Sequence, residues 1–246
     1  MSVLVEVCVD TAEGLAEAVR GGAGRIELCS ALDLGGLTPS VGMMRRAAGS
    51  GVPIYAMIRP RAGNFIWSPD EIAMMEADIA AAHEAGLQGV VLGASLPDGR
   101  LDTDMLGLLI KRAGGMGLTL HRCFDLVPDQ SVALEQAVDL GVARILTSGG
   151  ALSAPQGVDR LLALMEQAKG RIVIMPGGGL TSETVGGLRH LDLAEVHSSC
   201  SVAVLSHDKA ANFGFAPRLG RRTDAAQVRA LRNALGPDRE NGSGAR

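Results

Sequence analysis

The chain has 246 residues, and 23 Lys and Arg against 27 Asp and Glu leave a net charge of −4. That balance excludes the basic footprint of a nucleic-acid binder, and one Trp, one Tyr and four Phe supply no base-stacking surface. Apolar residues, at 47 %, are too many for a disordered chain, and no apolar run approaches the about 20 residues that span a bilayer.

From the N-terminus the sequence repeats one unit: a short β-branched run, a Gly/Pro/Ser loop, then an Ala/Leu-rich amphipathic stretch. The strand-like runs begin near Val3, Arg25, Ile54, Gly89, Gly117, Arg144, Arg171 and Glu195, at spacings that fit one strand plus one crossover helix. Helices are expected near 12–20, 40–49, 70–84, 102–113, 130–139, 157–168, 182–189 and 224–235. Thr38, Ser68 and Thr181 stand where helix caps belong. The segments Gly22-Ala-Gly-Arg25, Gly86-Leu-Gln-Gly89 and Gly141-Val-Ala-Arg144 read as one recurring turn from helix into strand.

Eight such units predict an α/β chain folded as a single (β/α)8 TIM-like barrel over residues 1–235. The segment 201–222 reads as a long loop, and 236–246 as a disordered tail. An open doubly wound sheet fits less well. Its GxGxxG turn is missing, because Val9-Asp10-Thr11 follow Cys8. Glu6 and Asp10 interrupt the first apolar run and no basic segment precedes it, so no export signal is expected and the location is cytoplasmic. Cysteines 8, 29, 123 and 200 lack CxxC spacing and are expected as reduced thiols.

Successive side chains on a strand face opposite sides. Val5, Val7 and Val9 then face the helices, and Glu6, Cys8 and Asp10 face into the barrel. The same parity turns Arg25, Glu27 and Cys29 inward in the second strand, and Tyr55, Met57, Arg59 and Arg61 in the third. Thr119, His121 and Cys123 follow in the fifth, and Glu195 and His197 in the eighth. A barrel interior is normally aliphatic. Two carboxylates, arginines and imidazoles there are either a paired network that fixes register or a polar pocket at the C-terminal mouth. Either way, Glu6 or Glu27 must meet an arginine or a histidine, because a lone buried carboxylate is costly.

The loops after strands 6, 7 and 8 carry Ser148-Gly149, Gly177-Gly178-Gly179 and Ser198-Ser199, where bare N–H groups can converge on an anion. Of three lysines, Lys111 and Lys169 lie on a helix and before a strand, and Lys209 lies in the last loop, so a strand-borne Schiff-base lysine is missing. No Gly-x-Ser-x-Gly elbow occurs, and the first strand offers Glu-x-Cys where zinc hydrolase barrels offer His-x-His. If the first two strands pair with their Glu-x-Cys level, Cys8 and Cys29 form a soft site for Cu(I). Otherwise each is a small apolar filler.

Taken together, Val5-Glu-Val-Cys-Val9, Arg25-Ile-Glu-Leu-Cys29, Gly35-Gly-Leu-Thr-Pro-Ser40, Ile58-Arg-Pro-Arg61, His121-Arg122 with Phe124-Asp125, Leu146-Thr-Ser-Gly149 and Glu195-Val-His-Ser-Ser199 resemble the CutC copper homeostasis family, in order and over about residues 3 to 235. The resemblance implies a cytoplasmic TIM-like barrel, assembled as a homo-oligomer (dimer or tetramer), that handles copper with Cu(I) bound through Cys8 and Cys29. In some relatives a Cys-Tyr pair follows the Phe of the strand 3 loop. Here Ile66-Trp67 stand there, so any role of that cysteine does not carry over. The alternative is an isomerase, aldolase or lyase acting on a small phosphorylated or carboxylated molecule. Glu6, Glu27, Arg59, His121 and His197 would do its chemistry. Arg61, Ser148, Gly149, Gly177, Gly178, Gly179, Ser198 and Ser199 would hold the anion. Neither reading involves nucleic acid or a membrane.

Overall fold

A computed structural model describes residues 2–207 and 209–236, so the segment read as a tail lies, from 237 on, outside the described residues. The strands are β1 (Leu4–Val9), β2 (Arg25–Leu28), β3 (Ile54–Met57), β4 (Gly89–Leu92), β5 (Gly117–Leu120), β6 (Arg144–Thr147), β7 (Val173–Pro176) and β8 (Glu195–Ser198). Their hydrogen-bonded order, β7-β6-β5-β4-β3-β2-β1-β8, is parallel throughout. β7 packs against β8, bringing the ends of the ladder together as a (β/α)8 barrel. Around it lie α1 (Ala12–Gly21), α2 (Val41–Ala48), α3 (Pro69–Glu84), α4 (Thr103–Ala113), α5 (Gln130–Asp139), α6 (Val158–Ala168) and, at the end, α8 (Ala225–Leu235). No described helix is long and apolar enough to cross a membrane.

Parity holds around the ring. Val7, Ile26, Ile54, Val90, Ile145 and Val196 are fully or almost fully buried with Leu15, Met44, Met75, Leu106, Leu134 and Leu161 of the helices. The recurring turn is a Schellman cap. The N–H groups of Ala23, Leu87 and Val142 reach back to Ala18, Ala82 and Ala137, across Gly22, Gly86 and Gly141 at φ of 87°, 79° and 72°. Glycine takes that left-handed conformation without strain, so each turn ends its helix and starts the next strand.

Four expectations change. Residues 182–189 form only a 3-10 turn, Val185–Leu188, because Gly186-Gly187 interrupt the one stretch able to hold a helix. Thr181 spends its hydroxyl on the turn at Glu183 and Thr184 instead of capping a helix. The segment 201–222 is no loop. It contains an antiparallel hairpin, β9 (Ser201–Leu205) and β10 (Leu219–Thr223), and the one-turn helix α7 (Lys209–Asn212) between its strands. Ser40, not Thr38, caps α2, whereas Ser68 caps α3 in a full capping box with Glu71.

The lower layer of the barrel is ionic. Arg25 bonds both Glu6 and Glu195, and Arg144 Nε lies 2.9 Å from Glu195 Oε2. The Tyr55 ring lies against both guanidiniums, its centroid 5.2 Å from the Arg25 carbon and 5.0 Å from the Arg144 carbon. Gly89 and Gly117 make room for it: a Cβ on either would stand 2.4 or 1.9 Å from Tyr55 atoms. Two cations and two carboxylates thus plug the barrel in place of aliphatic side chains.

Candidate functional site

Above this plug the barrel opens into a cavity of about 320 Å³, lined by Cys8, Glu27, Met57, Arg59, Phe65, His121, Arg122, Leu146 and His197, with Leu32 and Gly35. It lies at the C-terminal ends of the strands, where barrel sites form. Strand stagger decides which residues meet on its floor. Cys8 pairs in register with Glu27, and Glu6 with Arg25 on one side and His197 on the other. Ligand-type atoms of Cys8, Glu27 and His197 consequently lie within 4.8 Å of one another, all three residues being buried. His197 Nε2 is 3.8 Å from Glu27 Oε2.

Glu6, as parity required, meets a histidine. Its Oε1 lies 2.8 Å from His197 Nδ1, and its Oε2 is bonded by Arg25. Burial alone would raise the Glu6 pKa, but the His197 hydrogen bond and the Arg25 charge outweigh it and hold the value at about 2. A carboxylate on Nδ1 fixes the ring and leaves Nε2 facing the cavity. Burial would lower the His197 pKa, yet the Glu27 and Cys8 charges and the hydrogen bonds from Cys8 and Glu6 raise it well above its ordinary value. Burial raises the Glu27 pKa as well, so this pair retains a proton.

Cys29 lies outside the cluster. Two positions of stagger put it beyond Cys8, and its Sγ instead meets Glu27 Oε2 at 3.6 Å. Burial first, and the Glu27 charge second, push its pKa well up, so it stays a thiol that donates to Glu27. The buried cluster of donor atoms is Cys8, Glu27 and His197, with Cys29 held beside it through Glu27.

The upper walls are Arg59, His121 and Arg122. Arg59 Nη1 donates to the carbonyls of Leu34 and Gly36, at 2.8 and 3.0 Å, and Nη2 to Gly63 at 3.2 Å. The guanidinium lies over Phe65 at 5.1 Å. His121 Nδ1 accepts from the Cys123 N–H at 3.2 Å, which places the ring proton on Nε2. Burial, then the Arg59 charge, lower its pKa to about 3, so the ring is neutral.

Arg61 turns out of the barrel. β3 ends at Met57, and the Arg61 guanidinium stacks over Trp67 at 4.9 Å, bonds Glu71 and ties down carbonyls of its own loop. It holds that loop. The glycine loops are also committed elsewhere. The Asp125 carboxylate takes the N–H groups of Ser148 and Gly150 at 3.0 Å, the Thr147 hydroxyl at 2.5 Å and Arg122 Nε at 2.7 Å. Gly149 N–H goes to Thr147 Oγ1 at 2.9 Å, Gly177 N–H to the Thr147 carbonyl at 3.0 Å, and the Ser198 hydroxyl to the Leu180 carbonyl at 2.6 Å. Ser199 meets Ser201 at 2.8 Å, while the Gly178 and Gly179 carbonyls accept from Ala154 and Thr184. None of these seven residues lines the cavity. The anion that the strand 6 loop accommodates is the chain's own Asp125. Its signal was its place four residues after His121, as a carboxylate directly following Phe124 at a strand end.

The family model described as the CutC family matches residues 3–202. The chain belongs to the CutC family. A CutC family protein of Rhizobium meliloti is 60 % identical over 233 residues, covering 94 % of this chain and 95 % of its own. A CutC family protein of Caulobacter vibrioides is 49 % identical over 237 residues, covering 95 % and 97 %. Among solved structures, CutC of Streptococcus agalactiae, named there for copper homeostasis, is similar at 33 % identity and a TM-score of 0.77, over 80 % of this chain and 98 % of that one. At 14 % identity, 3-hexulose-6-phosphate synthase of Salmonella typhimurium shares the barrel alone, with a TM-score of 0.61 over 95 % of this chain and 98 % of that one.

Proposed function

We propose that this CutC family chain binds one copper(I) ion on the cavity floor, through Cys8 Sγ and His197 Nε2 with Glu27 beside them. The observation that carries this is the convergence of three buried donor atoms within 4.8 Å, one of them on a ring already oriented by Glu6. The donors suit the ion. A thiolate is soft, an imidazole serves copper well, and a carboxylate is a weaker partner for Cu(I). Glu27 instead accepts a hydrogen bond from the Cys29 thiol and faces His197 Nε2, so it can receive the proton released when a metal replaces hydrogen. Copper is here the cargo of a homeostasis protein, and the polar plug beneath keeps the ring and thiol in place while it comes and goes.

Anaerobic Cu(I) titration against a competing chelator tests this. Cys8→Ser and His197→Gln should each weaken Cu(I) by at least about tenfold, whereas Cys29→Ser should match the wild type. Equal affinity in Cys8→Ser and wild type overturns the reading. A larger loss in Cys29→Ser than in His197→Gln would return the site to the two cysteines.

A further inference from the structure

We propose that the upper half of the cavity is a binding site for a small hydroxycarboxylate, sharing only Glu27 with the donors on the floor. Three of the residues that line this cavity each have a buried polar atom with no hydrogen-bond partner: Arg59 Nε, His121 Nε2 and Glu27 Oε1. Buried polar groups are almost always satisfied, and three left unmet around one cavity mark what a ligand supplies. Two are N–H donors on the upper wall and one is a carboxyl oxygen toward the floor.

Charge points to an anion. Among the described residues, the buried Arg25, Glu6 and Glu27 each face an opposite charge or the His197 ring, but Arg59, 7 % exposed, has no carboxylate partner. Its partners are three neutral carbonyls and the Phe65 face, which solvate the guanidinium without cancelling its charge. A buried cation of this kind gains from an anion beside it. Phe65 also packs on the His121 ring at 4.7 Å, so one aromatic side chain contacts both donor groups.

The donor count selects a carboxylate over a phosphate. Arg59 Nε and His121 Nε2 offer one N–H each, matching the two oxygens of a carboxylate. A phosphate needs several converging amides, but those of Ser148, Gly149, Gly150 and Gly177 are taken by Asp125 and Thr147, and Gly178 and Gly179 do not line the cavity. Glu27 Oε1 then accepts a hydroxyl carried by the ligand, while Glu27 Oε2 remains turned toward His197 and Cys29. At about 320 Å³ the cavity is at the small end of metabolite sites.

The single tryptophan provides the readout, because Trp67 meets Phe65 edge-on at 6.2 Å. Titration of the full chain with lactate, propionate and inorganic phosphate, followed by Trp67 fluorescence and calorimetry, tests the site. Lactate should saturate with a Kd below about 1 mM. Propionate, which lacks the hydroxyl, should bind about tenfold more weakly, and phosphate should not compete. His121→Asn keeps an acceptor for the Cys123 N–H but loses Nε2–H, and should weaken lactate by at least about tenfold. Arg59→Gln should do the same, with circular dichroism checking its fold. Cys8→Ser should bind lactate normally while losing Cu(I), so the two sites fail separately. No saturable lactate binding, phosphate binding tighter than lactate, or an unchanged lactate affinity in His121→Asn each overturns the proposal.

Discussion

His197 Nδ1 stands 2.8 Å from Glu6 Oε1, and that carboxylate has no exposure to solvent. Arg25 holds its other oxygen, so one buried anion bridges the ionic plug of the barrel and the floor of the cavity. Glu6→Gln would leave Arg25 and His197 without this shared partner. The expected cost is about 3–5 kcal/mol, since removing one member of a buried ion pair strands the other. Urea denaturation measures it. A loss below about 1 kcal/mol would mean that Glu195 alone compensates Arg25.

Acid should unfold this protein in two stages. His121 has its pKa lowered from 6.5 to about 3, so between these values the unfolded chain holds a proton that the folded chain refuses. Stability therefore falls as the pH drops from 6.5 to 3. Glu6 is lowered from 4.5 to about 2, and its contribution, present above 4.5, is lost as the pH falls through 2. His197 acts in the opposite sense: its pKa is raised, so its contribution is full below 6.5 and is lost as the pH rises through the folded value. His121→Asn should flatten the first stage and leave the second. Denaturation midpoints measured across this range in both proteins give the comparison, and an unaltered slope between 6.5 and 3 counts against a buried neutral His121.

Gly89→Ala would push a methyl to 2.4 Å from the buried Tyr55 ring, which packs against two guanidiniums. The expected destabilisation is about 1–3 kcal/mol, the usual result of overpacking. Combining it with Tyr55→Leu should recover part of that loss relative to the sum of the single changes. A strictly additive double-mutant cycle would show that the glycine serves something other than the ring.

Asp125→Ala removes the acceptor for Arg122, the Thr147 hydroxyl and two loop amides together. A loss of about 2–4 kcal/mol is expected from the unsatisfied donors, with faster proteolysis in the loop after β6. Phosphate should protect this variant at concentrations that leave the wild type unchanged, because the vacated loop becomes a nest of free N–H groups. Equal proteolysis rates in both proteins would remove Asp125 as the loop's internal anion.

By itself the sequence determined the eight units, the strand starts and the parity that turns Glu6, Cys8, Glu27, Arg59, His121 and His197 inward. These depend on period-two alternation and local turn chemistry, which each segment carries alone. The sequence motifs also sufficed to recognise the family. Three things were decided only by tertiary structure. Cys8 faces Glu27 and not Cys29, because stagger between neighbouring strands is a property of the closed barrel and not of either strand. Arg61 leaves the interior, because alternation stops after β3 ends at Met57 and the loop beyond it turns toward Glu71 and Trp67. The strand 6 loop closes on the chain's own Asp125, because the Ser148 and Gly150 amides meet a carboxylate distant in sequence and brought close only when the strands align. Side-chain direction is local, but the partner a side chain finds is set by the whole fold.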